Sequence, residues 1–273
     1  MNPADLAELS RIVQARAGLL LRGDKAYFVE SRLALLARRE NAASVDELGQ
    51  RLLAGGDERL LDAACEALAV TDTAFFRDPD VFGHLRDHTL PGLLAGRAEK
   101  LIQVWCAGCA TGQEAYSLAM LALESADTMP GLRLEIVATD LSQRALEKAH
   151  AGIYTQFEVQ RGLPIRYLLR HFEKVDEMWS ASPHLRGQIR WRRLNLMEAR
   201  RSVRRFDLIL CRNVVSYLDP AARAVLLQQF APALADDGVL VLGQNEVAPT
   251  DFRETEANIG VFRASDPLKR AAA

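Results

Sequence analysis

Val104-Trp105-Cys106-Ala107-Gly108-Cys109-Ala110-Thr111-Gly112-Gln113-Glu114 is an apolar run that passes into a turn of small residues and then into a segment carrying Tyr116, Leu118 and Met120. The run suits a buried strand, and the apolar spacing after it is helical. Glycine reaches backbone angles that other residues avoid and leaves room beside the main chain. A strand feeding a helix through glycines at 108 and 112 is therefore a βα unit whose turn lets a ligand lie over the carboxyl end of a sheet. Such a turn is equally compatible with NAD, with a flavin or with no ligand at all.

Working outward, similar apolar runs recur at residues 101–105, 134–139, 206–210 and 239–242, alternating with helical stretches. That rhythm predicts an α/β domain with a mainly parallel sheet. Residues 164–194 interrupt it: 172–175, 178–180 and 189–191 read as short strands around an Asp176-Glu177 turn, a small β insertion. Before residue 90 the chain reads as helices throughout. Leu6, Leu9, Ile12 and Val13 have helical spacing, as do Phe28, Leu33, Leu35 and Leu36, and Ser44 with Glu47 offers a capping box for a helix ending near Ala54. The expected organisation is an all-α domain over residues 1–88 and a Rossmann-like α/β domain over 89–273.

The 273 residues are 49% hydrophobic, enough for a substantial core, and the formal charge of −2 gives no global attraction for nucleic acid or anionic lipid. No apolar run approaches the roughly 20 residues of a membrane span. With no leader segment before them, Cys65, Cys106, Cys109 and Cys211 read as reduced thiols of a cytoplasmic protein. Cys106 and Cys109 form a CxxC, but no second Cys or His pair lies near in sequence. They read as small packing residues, and no metal is expected.

Two spacings narrow the ligand. The glycines are GxxxG, not the GxGxxG that seats a pyrophosphate, and no GxxxxGK[ST] exists, so diphosphate cofactors are disfavoured. Asp140 follows the strand at 134–139, where a carboxylate suits the two hydroxyls of a ribose; its competing role is to cap a helix that Ser142 can cap unaided. A cationic nucleoside such as S-adenosylmethionine fits what remains. Glu114, at the start of the helix after the turn, is placed to accept from an ammonium, or simply to complement the helix dipole.

Thr71-Asp72-Thr73-Ala74-Phe75-Phe76-Arg77-Asp78, the segment from Trp105 to Met120, Ala138-Thr139-Asp140-Leu141-Ser142, Asn195-Leu196 and Phe206-Asp207-Leu208-Ile209-Leu210-Cys211-Arg212-Asn213-Val214 resemble, in order and spacing, the CheR family of chemotaxis receptor methyltransferases. The resemblance runs from Gly18 to Phe262 and includes Asp24-Lys25-Ala26-Tyr27-Phe28-Val29-Glu30-Ser31-Arg32-Leu33. It implies methyl transfer from S-adenosylmethionine to glutamate side chains of chemoreceptor cytoplasmic helices, with S-adenosylhomocysteine as product. It further implies that Thr71, Thr73 and Arg77 border the cofactor, Ala107 and Gly108 line it, Glu114 takes its ammonium, Asp140 its ribose, and Asn195 and Leu196 its adenine. Arg212 and Asn213 would line the methyl-transfer pocket, and Tyr217 would complete it. Two positions depart from the family pattern. Thr71 replaces the usual Asn and loses an amide donor pair, while Ala115 replaces a common Pro without harm to a helix.

In similar proteins a basic helix of the helical domain docks on acidic receptor helices, and the resemblance implies that role for Arg16, Arg22, Arg32, Arg38 and Arg39, although Asp24, Glu30 and Glu40 are interleaved as on a solvated face. Arg186, Arg190, Arg192, Arg193, Arg200, Arg201, Arg204 and Arg205 form a second basic concentration that invites a nucleic-acid reading. No RNA-binding module and no [DNS]PP[YFW] tetrapeptide accompanies it, and no nucleic-acid partner is expected. The short, glycine-free turn at Asp176-Glu177 leads us to expect no docking on a receptor's C-terminal peptide. A monomer is expected. The rival from another class is a catalytically silent module that binds the same cofactor or receptor.

Overall fold

The structure, a computed structural model, describes residues 1–21, 26–125, 127–198 and 205–265. The chain divides into two compact units, Met1–Val70 with Ser216–Leu226, and Thr71–Val215 with Leu227–Ala273.

The first unit is built on α1 (Pro3–Ala17), α2 (Ala26–Arg39), α3 (Val45–Ala54) and α4 (Glu58–Leu68). Each start and stop has a local cause. Asn2 accepts from the Asp5 amide ahead of α1, Gly18 closes it at φ 69°, and Asp57 accepts from the Leu60 amide ahead of α4. Ser44 accepts from the Glu47 amide as expected, whereas the Glu47 carboxylate reaches back to the Ala43 amide, one residue beyond a capping box. Leu9, Val13, Leu33 and Leu36 are buried with Leu48, Leu60 and Leu68, while Leu35 faces solvent. The segment Ser216–Leu226 joins this unit through main-chain pairing: Leu20 N donates to Tyr217 O and Asp219 N to Gly18 O, each at 2.9 Å.

The second unit opens with α5 (Pro79–His84), which continues through a π-helical turn, Leu85–Thr89, into α6 (Leu90–Ala95). The expected domain boundary at residue 88 is therefore displaced to Val70. The reason is packing: Phe75, Phe76, Val81, Phe82 and Leu85 belong to one buried cluster with Ile102, Val104 and Leu118. Then follow β1 (Leu101–Ala107), α7 (Gln113–Glu124), β2 (Arg133–Asp140), α8 (Gln143–Ala151), β3 (Ile153–Thr155), α9 (Gln156–Gln160), α10 (Ile165–His171), β4 (Phe172–Val175), β5 (Met178–Ala181), α11 (Pro183–Arg186) and β6 (Ile189–Arg193). β7 (Phe206–Cys211), α12 (Pro220–Ala233), β8 (Leu234–Leu242), β9 (Phe252–Glu254) and β10 (Val261–Ala264) complete the described elements. The first turns of α12 belong to the first unit.

Among the described residues the main sheet has seven strands in the order β6-β2-β1-β7-β8-β10-β9, with only β10 antiparallel to its neighbours. Strand order reverses at β1, where Cys106 pairs with Ala138 on one side and Leu210 on the other. Ligands of such sheets bind at this switch point, beyond the carboxyl ends of the strands. At the opposite end, Asp207 accepts from the Gln103 amide at 2.7 Å and from Arg97 Nη2 at 2.6 Å, fixing β7 against β1.

The small insertion is a three-stranded sheet in the order β3-β5-β4, and its membership corrects the sequence reading. Residues 189–191 do not belong to it: they lie in β6, parallel to β2 at the edge of the main sheet. Their place comes from Ile153–Thr155, too short to carry a strand signal of its own. Asp176 turns β4 into β5 with a φ of 52°, a conformation that glycine usually supplies.

All four cysteines are free and buried. Burial pushes Cys65 up to about 12 and holds Cys106, Cys109 and Cys211 well above an ordinary thiol. Among the described residues no group of three or more His, Cys, Asp or Glu side chains converges on a metal position. A thiol-reactive dye is accordingly expected to label none of them in the folded protein and all after unfolding in guanidinium; rapid native labelling of Cys106 and Cys109 would restore a redox role for the CxxC.

Candidate active site

The turn after β1 is held from the neighbouring strand. Gly108 N and Cys109 N both donate to Thr139 O, at 2.8 and 2.9 Å, and Trp105 Nε1 donates to Thr139 Oγ1 at 2.9 Å. Gly108, Ala110 and Gly112 take φ values of 75°, 49° and 91°. A Cβ at Gly108 would lie 2.6 Å from Val214 Cγ2, so glycine here also admits the turn after β7. Ala107, the last residue of β1, is buried.

Asp140 does more than either expected role. Its Oδ2 accepts from Ala110 N and its Oδ1 from Ser142 N, both at 2.8 Å, so one carboxylate ties the turn after β1 to the turn after β2. Ser142 itself caps α8, accepting from Ala145 N at 3.0 Å. Leu194 N donates to Asp140 O, which brings Asn195 and Leu196 to the same edge. There Asn195 Oδ1 accepts from Met197 N at 3.1 Å and fixes the short turn Leu196–Glu198.

Arg212, just beyond β7, has a fully buried side chain. Its Nη1 donates to Glu114 Oε2 at 2.8 Å; its Nη2 donates to Asp78 Oδ2 at 2.6 Å and to Arg77 O at 3.0 Å. The guanidinium lies 5.6 Å from the Phe82 ring centroid, and its Nε–H is buried without a partner. Burial raises the Glu114 carboxyl, and the neighbouring Arg212 and Arg77 charges oppose that rise. Arg77 pairs with neither Asp78 nor Asp80: its Nη1 lies 3.8 Å from Asp72 Oδ2. Thr71 and Thr73 are half-buried in the same segment, and Phe76 N donates to Ser117 Oγ at 2.9 Å, anchoring that segment on α7. These residues belong to the second unit, which begins at Thr71.

Asn213 adopts φ 56°, and its side-chain Oδ1 is buried without a partner. Glu246 holds this turn: its Oε2 accepts from Asn213 N at 2.8 Å and Gly243 N at 2.9 Å, joining the carboxyl ends of β7 and β8. The sequence reading missed Glu246 and passed over Asp78. The only signal for Glu246 was a carboxylate three residues beyond a glycine that ends an apolar strand. Asp78 stands just before a Pro-led helix, a position where an aspartate ordinarily serves as a cap, so its sequence context gives no sign of a tertiary partner.

Tyr217 belongs to the first unit, where it is 38% exposed and lines an apolar cavity of about 230 Å³ with Leu19, Leu20, Phe28, Val29 and Leu68. Of the basic residues in that unit, Arg16 is engaged by Glu58 and Asp62, Arg32 lies over the Phe28 ring, and Arg38 and Arg39 are exposed. In the second basic group Arg190 pairs with Glu135 and Arg205 with Asp236. Arg22, Asp24, Lys25, Arg200, Arg201 and Arg204 lie outside the described residues.

The second unit thus offers two carboxylates sharing one guanidinium, an unspent buried N–H and an unspent buried carbonyl, at the switch point of a parallel sheet. That donor set suits a cationic amino-acid end attached to a nucleoside. Residues 4–69 match the family described as CheR methyltransferase, all-alpha domain, and residues 71–261 match CheR methyltransferase, SAM binding domain. A chemotaxis protein methyltransferase of Vibrio parahaemolyticus is 34% identical over 96% of this chain and 97% of its own length. Chemotaxis protein methyltransferase 1 of Pseudomonas aeruginosa is 33% identical over 93% of this chain and 96% of its own. The solved structure of PKMT2 from Rickettsia typhi in complex with AdoHcy is a partial likeness, 15% identical with a TM-score of 0.38 over 64% of this chain and 26% of that one. Matched in both of its parts and along nearly its whole length, the chain belongs to the CheR methyltransferase family, and S-adenosylmethionine is its cofactor.

Proposed function

We propose that the protein is a protein-glutamate O-methyltransferase that esterifies glutamate side chains on the cytoplasmic helices of chemotaxis receptors, leaving S-adenosylhomocysteine. The observation that carries this is the Arg212 guanidinium, pinned at both terminal nitrogens while its buried Nε–H remains unspent. A carboxylate acceptor needs a positioned donor and no base, because it is already ionised at neutral pH. S-adenosylmethionine supplies the electrophile, a methyl group on a sulfonium.

The chain's own residues bind and orient. Glu114 receives the ammonium, Asp140 the ribose hydroxyls, and Asn195 with Leu196 the adenine edge. Thr71, Thr73, Arg77, Ala107 and Gly108 enclose the methionine end. Arg212 and Asn213 present a donor and an acceptor to the reacting groups, and Tyr217 orients the acceptor with its hydroxyl. Placing carboxylate oxygen, methyl carbon and sulfur in line supplies most of the acceleration. Arg38 and Arg39 make the exposed part of a receptor-facing basic surface. A receptor's C-terminal peptide has no part in this reaction, and nucleic acid is not a partner. The protein is taken to act as a cytoplasmic monomer; among the described residues no helix is long and apolar enough to cross a membrane.

Three outcomes are expected. Labelled S-adenosylmethionine should methylate membranes carrying the host's chemoreceptors, and mild base should release the label as methanol. Binding of the cofactor without any base-labile label on those membranes would favour the silent regulatory module. Asp140→Ala should weaken S-adenosylhomocysteine binding by about tenfold or more through the lost hydroxyl acceptor and the loosened turn, whereas Tyr217→Phe should lower kcat and leave that affinity nearly unchanged. Equal effects on both quantities in both variants would contradict these roles. Because the Glu114 carboxyl is raised by burial, it loses the charge that accepts an ammonium at a higher pH than an exposed glutamate does. Calorimetric affinity for S-adenosylhomocysteine should therefore fall as pH drops through that raised range, and Glu114→Gln should bind weakly with no such slope. A matching slope in the variant would place the titrating group elsewhere.

A further inference from the structure

Asp78 directly precedes Pro79, the first residue of α5, where an aspartate normally caps the helix with its side chain. It makes no such bond here. Its backbone sits instead at φ 56° and ψ 76°, a conformation that residues other than glycine seldom adopt, and its carboxylate is turned onto Arg212 Nη2 at 2.6 Å. Local strain kept in place by a charged contact is a reason to look for a role in function.

The Arg212 guanidinium is gripped at two separate ends. Nη1 is held by Glu114 alone, whereas Nη2 is held by Asp78 and by the Arg77 carbonyl. An ammonium arriving at Glu114 competes with Nη1 for the same carboxylate. Were Glu114 the only counter-ion, that competition would strip a fully buried guanidinium of its partner, and the loss would be charged against cofactor binding. With Asp78 on Nη2, the exchange at Nη1 leaves the group paired and its Nε–H still aimed.

We propose that Asp78 is a positioning residue for Arg212, holding the guanidinium in place when Glu114 turns from it to the ammonium of the bound cofactor. This role rests on the assignment of Glu114 to that ammonium.

The test compares two probes by calorimetry on the full chain: S-adenosylhomocysteine, and 5′-methylthioadenosine, which keeps the nucleoside and sulfur but lacks the amino-acid end. In Asp78→Asn the lone Glu114–Arg212 pair tightens, so S-adenosylhomocysteine should bind about tenfold or more weakly, while the affinity for 5′-methylthioadenosine should move by less than about twofold. Retained binding of the truncated probe shows a folded site, which a general structural defect would not spare. Equal weakening of both probes, or of neither, overturns the role.

Glu114→Gln tests the underlying assignment separately. If that variant keeps the preference for S-adenosylhomocysteine, Glu114 does not take the ammonium. If it loses the preference while Asp78→Asn retains it, only the role of Asp78 falls. Should Asp78→Asn not fold, the wild-type protein decides. The Arg212 Nε–H resonance, assigned through Arg212→Lys, should stay sharp and slowly exchanging on saturation with S-adenosylhomocysteine, and its loss would show that the guanidinium leaves Asp78.

Discussion

A guanidinium with no solvent contact is the constraint around which the second unit is arranged. Arg212 is buried completely, and an arginine cannot shed its charge, so the fold must bring it acceptors. Removing one partner from such a group costs several kcal/mol, because the charge left behind stays desolvated. Glu114 comes from the first turn of α7, Asp78 and the Arg77 carbonyl from the segment that precedes α5. To deliver them, Phe76 and Asp78 take φ values of 44° and 56°. The strain is local, and the buried cluster of Phe75, Phe76, Val81 and Phe82 holds it.

The same device recurs along the carboxyl ends of the strands, with carboxylates acting on backbone amides. Asp140 joins the turns after β1 and β2, and Glu246 joins those after β7 and β8. With Arg212 tied to the 71–78 segment, several separate loops are fixed by acceptors on their neighbours. Each such bond contributes about 1.5–3 kcal/mol when one partner is charged, but its larger consequence is geometric. A site built from loops holds its shape only when something other than the loops' own backbone sets it.

This explains what the sequence shows readily and what it does not. The strand runs around Val104, Val137, Leu208 and Leu240, and the glycines at 108 and 112, are legible because hydrophobic period and backbone freedom are local properties. Glu114, Asp140, Arg212 and Asn213 are legible as candidates because they sit at fixed offsets from those strands. The partners of these residues are not. Nothing in Pro79 or its neighbours says that Asp78 abandons the helix cap for a residue 134 positions away. Nor does Gly243-Gln244-Asn245-Glu246 reveal that its carboxylate closes on Asn213. The edge position of β6 is hidden for a related reason: Ile189, Arg190, Trp191 and Arg192 alternate like any half-exposed strand, and only parallel pairing with β2 separates the main sheet from the insertion.

A methyl transfer from sulfonium to carboxylate destroys both charges, so a strong cation at the acceptor would stabilise the starting state more than the transition state and slow the step. A bare arginine is a poor choice for orienting such a nucleophile. Arg212 is not bare: when Glu114 turns to the ammonium, as proposed above, Asp78 remains within hydrogen-bonding distance of Nη2 and offsets the guanidinium charge. What it offers an acceptor in the proposed reaction is therefore direction more than charge, a single Nε–H on a rigid fork whose electrostatic pull is already offset. In the proposed reaction the Asp78 carboxylate that keeps the buried arginine paired would also offset its pull on an acceptor whose charge disappears, so the stability requirement and the kinetic one would be met by the same contact.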